Sequence, residues 1–158
     1  QTIPILAVAP MIIVVLGAIG LTGLLPKAVI SAYLCFFPIV IGMVKGLRSP
    51  DPIHLDLMKT YNATQSQKFW KLRWPASTPF LFASFKVSIA ISLVGAIVGE
   101  LPAGARAGLG ARLLTGSYYG QTVQIWSALI VASTIAATLV FLMSFMEKLV
   151  QKRMGALT

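Results

Sequence analysis

The chain has 158 residues, 57% of them hydrophobic and 11% charged, and a mean hydropathy of +0.85. A soluble domain carries roughly 25% charged residues, so the composition argues against a water-soluble fold. The net charge of +9 does not point to nucleic acid, because Lys and Arg lie between apolar segments instead of forming a solvated basic face with aromatic platforms.

Charged positions leave five uninterrupted runs, at residues 1–26, 28–44, 74–85, 87–99 and 113–146. A hydrocarbon core of about 30 Å needs about 20 mostly apolar residues per helix, and the runs supply four such spans in an all-α, polytopic membrane domain. The first covers about 3–20 and closes in a turn at Gly23 and Pro26. No basic region and small-residue cleavage site of a signal peptide precedes it, and the chain is expected to be incomplete. The second span, about 27–44, contains Pro38, whose missing N–H predicts a local bend. Cys35 in this span reads as a small buried residue, and one cysteine permits no internal disulfide.

A polar loop, 45–75, leads to a third span at about 79–99. A glycine-rich segment, 102–120, is expected to fold partly back towards the outer mouth. The fourth span, about 123–145, precedes a polar tail from 147. Ser127, Ala128, Ala132, Ser133, Ala136 and Ala137 recur there at helical spacing, a composition suited to close packing within a subunit or at a dimer seam.

Cations set the orientation. Lys45, Arg48, Lys59, Lys68, Lys71 and Arg73 in the loop and Lys148, Lys152 and Arg153 in the tail outnumber Lys27, Arg106 and Arg112 on the other face. Loop and C-terminus are therefore expected in the cytoplasm. Lys86 falls inside the third span, where a central Lys costs roughly 2.5–3.5 kcal/mol. It either snorkels to the interface or takes a pairing or pathway role. Glu100, at the outer end, faces head groups or acts as a polar gate.

The 45–75 loop carries the strongest pattern. Pro52 opens a short helix to about Tyr61, on which Leu55 and Met58, and Leu57 and Tyr61, share faces. Asn62 is a natural stop because Asn tolerates the left-handed conformation. Thr64 with Gln67 reads as a capping box for a second helix, about 65–73, that Pro75 would end. Phe69, Trp70 and Leu72 among Lys68, Lys71 and Arg73 make that helix amphipathic, fit for partner docking or for the membrane surface.

At these positions the sequence resembles the permease subunits of binding-protein-dependent ATP-binding cassette importers. Their cytoplasmic loop reads Glu-Ala-Ala, three residues, Gly, nine residues, Ile, one residue, Leu-Pro. Asp56, Leu57 and Met58 stand at the first three places, Asn62 at the Gly, Leu72 at the Ile, and Trp74 with Pro75 at the last pair. The spacing matches throughout, while only Pro75 is identical, and Leu57 and Met58 are bulkier than alanine. Phe36-Phe37-Pro38, Gly46-Leu47-Arg48, Gly99-Glu100 and Gly108-Leu109-Gly110 resemble the branch serving aliphatic sulfonates, taurine, nitrate or pyrimidine precursors.

The resemblance implies the type I importer permease fold, with this chain as the last four of six spans, in a bacterial inner membrane. It further implies a separate cytoplasmic ATPase docked on the loop, a periplasmic or lipid-anchored solute-binding protein, and a second permease copy. Lys86, Glu100, Gly108 and Gly110 are the candidate gate or pathway residues. No cofactor is implied. The chain has no Gly-x-x-x-x-Gly-Lys-Ser/Thr loop, so ATP hydrolysis belongs to another polypeptide. His54 is the only histidine and reads as solvated, which leaves no paired catalytic groups for a membrane enzyme. A secondary transporter or channel would place ionisable groups at mid-membrane, where only Lys86 comes close.

Overall fold

The computed structural model describes residues 4–100 and 108–153. Its helices are α1 (Ile5–Ala18), α2 (Leu24–Leu47), α3 (Pro52–Thr60), α4 (Gln65–Lys68), α5 (Trp74–Glu100), α6 (Leu109–Tyr118) and α7 (Thr122–Arg153), with a π-turn at Phe69–Arg73 and no strand among the described residues. Two compact units divide the chain, Gln1–Phe37 with Ser88–Val140 and Pro38–Val87 with Phe141–Thr158.

Among the described residues three helical stretches are long and apolar enough to cross a bilayer: Leu24–Leu47, Gln65–Glu100 and Thr122–Arg153. The first expected span is shorter than its run of apolar residues. Pro4 is extended at ψ 129°, and α1 has 14 residues, about 21 Å of rise. Its end is fixed by Gly20 at φ +78°, where Leu21 N–H donates to Leu16 C=O and Gly20 N–H to Gly17 C=O, the paired bonds of a Schellman stop. The expected turn at Pro26 lies earlier, at Gly20 to Gly23, and Pro26 sits in the first turn of α2, where its missing N–H has no helical partner to lose. Helix α2 runs unbroken through Pro38.

Burial is inverted relative to a soluble protein. Ala9, Ile30, Phe82 and Ala128 are the buried hydrophobic residues among those described, while Ser77, Thr78, Ser84 and Ser88 are buried and polar. No residue of the most apolar window of α7 is buried, so the apolar side chains face outward as lipid requires. Of the small residues expected to pack on α7, Ala128 is buried and Ala132 and Ala136, one and two turns further on, are half-buried, whereas Ser127, Ser133 and Ala137 are exposed. Packing also falls on α2 and α5.

In the first unit Ser31 Oγ donates to Ser92 C=O (3.1 Å) and Cys35 Sγ to Ser88 C=O (3.2 Å). A Cβ added at Gly95 would come within 2.9 Å of Ser31 Cα, and one at Gly99 within 3.4 Å of Lys27 Cα. In the second unit the same two helices meet at Gly46, where an added Cβ would stand 2.8 Å from Ser77 Cα, and at Gly42, where it would overlap Ser84. Small side chains here let backbones approach closely, the main route to helix association when lipid is as apolar as the side chains. Gly46→Val is expected to cost about 1–3 kcal/mol through overpacking, read as a lower unfolding temperature in detergent, whereas substitution to Val at Gly17, which has open space around it, leaves that temperature nearly unchanged.

Candidate functional site

The 45–75 loop is a closed hydrogen-bonded corner. Asp51 caps α3, its carboxylate accepting from Ile53 N–H at 2.8 Å, and Pro52 follows at the first helical position, which suits its fixed φ. The helix ends as the sequence predicts. Asn62 has φ +52° and is the one non-glycine residue with positive φ among those described. Ala63 N–H reaches Met58 C=O at 2.9 Å and Asn62 N–H reaches Lys59 C=O at 2.8 Å. Two residues later the capping box closes, with Gln67 N–H donating to Thr64 Oγ1 (3.3 Å) and Thr64 N–H to Gln67 Oε1 (2.9 Å). A single residue, Ala63, separates the stop at Asn62 from the cap at Thr64.

In the crook of this corner Leu57, Met58, Tyr61, Ala63, Gln67 and Lys71 line a notch of about 330 Å³. Leu57 and Tyr61 are exposed there. The Lys59–Asp56 pair, at 2.7 Å with both side chains 68% exposed, adds little stability. His54 is exposed, and no cluster of metal-ligating side chains exists among the described residues.

Pro75 does not end the second helix. The helix widens into the π-turn Phe69–Arg73, where Trp74 N–H bonds Phe69 C=O, and continues directly as α5. A proline within a helix clashes with the carbonyl four residues earlier, and the wider i→i+5 turn is a known way to absorb such a mismatch. Pro79 is likewise inside the helix. The carbonyl it leaves unpaired, that of Pro75, accepts instead from Thr78 Oγ1 at 2.8 Å, as membrane helices do with nearby hydroxyls. The loop therefore runs without a break into a helix of 36 residues, Gln65–Glu100.

Glu100 faces inward. It is 12% exposed, and its Oε1 meets Lys27 Nζ at 3.0 Å. Its Oε2 accepts from Gly110 N–H (2.6 Å) and Ala111 N–H (3.3 Å) at the start of α6. A carboxylate on these free amide donors is favoured by their charge and by the helix dipole. Gly108 stands at φ +146°, and a Cβ there would fall 2.2 Å from Glu100 Oε1. The residues singled out as Gly99-Glu100 and Gly108-Leu109-Gly110 thus form one clasp. Of the expected outer segment, 102–107 with Arg106 lies outside the described residues, and 109–118 is helix.

Lys86 takes the pairing alternative: its Nζ meets Glu147 Oε2 at 2.5 Å, with the side chains 30% and 18% exposed. Glu147 was expected in a polar tail, but α7 continues to Arg153. Sequence reasoning missed this partner. The available signal was a lone cation in a span and an acid one residue beyond the last charge-free run, 113–146.

These features define a polytopic helical membrane protein with a rigid polar loop fused to a crossing helix. The family model of the binding-protein-dependent transport system inner membrane component matches residues 1–156, and the chain belongs to that family, the permeases of ATP-binding cassette importers. It is 34% identical over 149 residues to a riboflavin transport system permease protein of Chloroflexus aurantiacus, covering 94% of this chain and 54% of that protein. It is 33% identical over 110 residues to a formylaminopyrimidine transport permease protein of Halalkalibacterium halodurans, covering 70% and 42%. A probable ABC transporter permease protein of Haemophilus influenzae is 30% identical over 141 residues, covering 89% and 56%. The chain thus spans about half the length of the curated relatives it matches. No solved structure matches it.

Asn62→Gly is expected to leave the loop intact, whereas Asn62→Val strains the positive φ and Thr64→Ala removes a cap worth about 1 kcal/mol; amide hydrogen exchange across residues 52–68 reads both as faster opening. Charge reversal, Lys86→Glu, is expected to lower thermal stability in lipid nanodiscs, and the double change Lys86→Glu with Glu147→Lys to restore most of the loss, since the cost lies in leaving one ion unpaired.

Proposed function

We propose that this chain is the transmembrane part of an ATP-driven importer and that its loop, residues 56–75, couples a separate cytoplasmic ATPase to the membrane helices. The observation that carries the reading is the unbroken connection from capped corner to crossing helix. A docked lever transmits displacement only if its joints are stiff. Here one end is held by the Asn62 stop and the Thr64 capping box, and the other has no joint at all. Leu57, Met58 and Tyr61 give the corner an apolar anchor, and Lys71 supplies charge at the notch.

The cation distribution supports a cytoplasmic loop and C-terminus in a bacterial inner membrane. A solute-binding protein on the opposite face and a second permease copy complete the proposed assembly. The exposed apolar surface of α7 is available for that copy. Solute choice rests with the binding protein. Glu100 with Lys27 and the Gly110 amide, and Lys86 with Glu147, act in this reading as clasps that hold helices, because the paired charges are already spent on one another.

Reconstituting the full-length permease with its ATPase and solute-binding protein tests the reading. Leu57→Asp with Met58→Asp, and separately Leu72→Asp, are expected to lower solute-stimulated ATP turnover and uptake at least tenfold while the permease still folds and inserts. Unchanged ATP-driven uptake would refute coupling through this loop, and uptake driven by an ion gradient without ATP would point to a secondary transporter.

A further inference from the structure

We propose that the π-turn face carrying Trp70, Arg73 and Trp74 binds the phosphate of an anionic phospholipid at the membrane boundary. The proposal does not rest on the ATPase reading. Its basis is an exposed aromatic surface with an exposed cation adjoining it in the chain. The Trp70 and Trp74 rings lie 5.8 Å apart, with Phe69 packed against both at 5.3 and 6.4 Å. Trp70 is 61% exposed and Trp74 36%. Arg73, next to Trp74, is also exposed.

The chain's carboxylates are all engaged elsewhere. It has four acidic residues: Asp51 caps α3, while Asp56, Glu100 and Glu147 pair with Lys59, Lys27 and Lys86. Lys68, Lys71 and Arg73 have no acidic partner among the described residues, which leaves them open to an anion from outside.

Position selects the lipid over an acidic protein. The charge-free run that enters the bilayer begins at Trp74 itself, which sets the indole pair at head-group depth, where Trp concentrates and basic residues meet anionic lipid. A guanidinium takes a phosphodiester in bidentate fashion. Indole N–H groups can donate to the glycerol ester oxygens while the ring faces lie along the first methylenes.

The test uses the full-length protein in nanodiscs, with every tryptophan other than Trp70 and Trp74 changed to Phe. Fluorescence quenching is compared between brominated phosphatidylglycerol in plain phosphatidylcholine and the reverse labelling. One cation near an anionic surface gives roughly fivefold enrichment, so quenching by the glycerol lipid should exceed its mole fraction several-fold. Arg73→Gln should bring it down to the mole fraction, Arg73→Lys should retain most of it, and high salt should weaken it. Quenching proportional to mole fraction in the unaltered protein would overturn the proposal, leaving a non-selective aromatic belt. Absence of quenching by either lipid would also overturn it, in favour of a protein covering the face.

Discussion

Close approach of α2 to α5 is the constraint on which the placement of the other groups depends. A bilayer offers no hydrophobic gain for bringing two apolar helices together, so contact has to come from packing and from hydrogen bonds between them. In the first unit that contact runs through Ser31, Cys35, Ser88, Ser92, Gly95 and Gly99; in the second, through Gly42, Gly46, Ser77 and Ser84. Both stretches put small or hydroxyl side chains inward and large apolar ones outward. With the helices this close, Lys27 near the start of α2 comes within reach of Glu100 at the end of α5.

Charge is scarce in this chain, and each of its four acids has a partner. One caps an exposed helix, one makes a surface pair, and two neutralise lysines in partly buried positions. Glu100 does more than neutralise. By accepting two backbone amides it ties the start of α6 back to α5, and the absence of a Cβ at Gly108 and Gly110 is what lets the carboxylate reach them. The surplus of cations left over is the physical origin of both the proposed orientation and the proposed lipid contact.

The loop illustrates how proline can join elements. Asn62 and Thr64 stop and restart the helix within two residues, which makes a stiff corner. Beyond it, Pro75 and Pro79 remain inside the helix because a π-turn precedes one and a threonine hydroxyl satisfies the carbonyl freed by the other. Stiffness on both sides of the corner is what a mechanical coupling requires.

Local signals were legible in the sequence wherever the cause was local. The helix starting at Pro52, the left-handed Asn62 and the Thr64–Gln67 box depend on residues within four positions of one another, so their chemistry reads directly from the letters. Apolar run length likewise announced helices that cross a membrane, because bilayer thickness sets that length. Tertiary structure decided the rest. The continuation past Pro75 depends on a register change that no single residue encodes, and the inward turn of Glu100 and the Lys86–Glu147 pair join positions 10 to 73 residues apart. Composition marked six small residues of α7 for packing, and the structure covers Ala128, Ala132 and Ala136 while Ser127, Ser133 and Ala137 stay exposed. Small residues permit close approach on any helix, and only the arrangement of neighbours determines which of them is used.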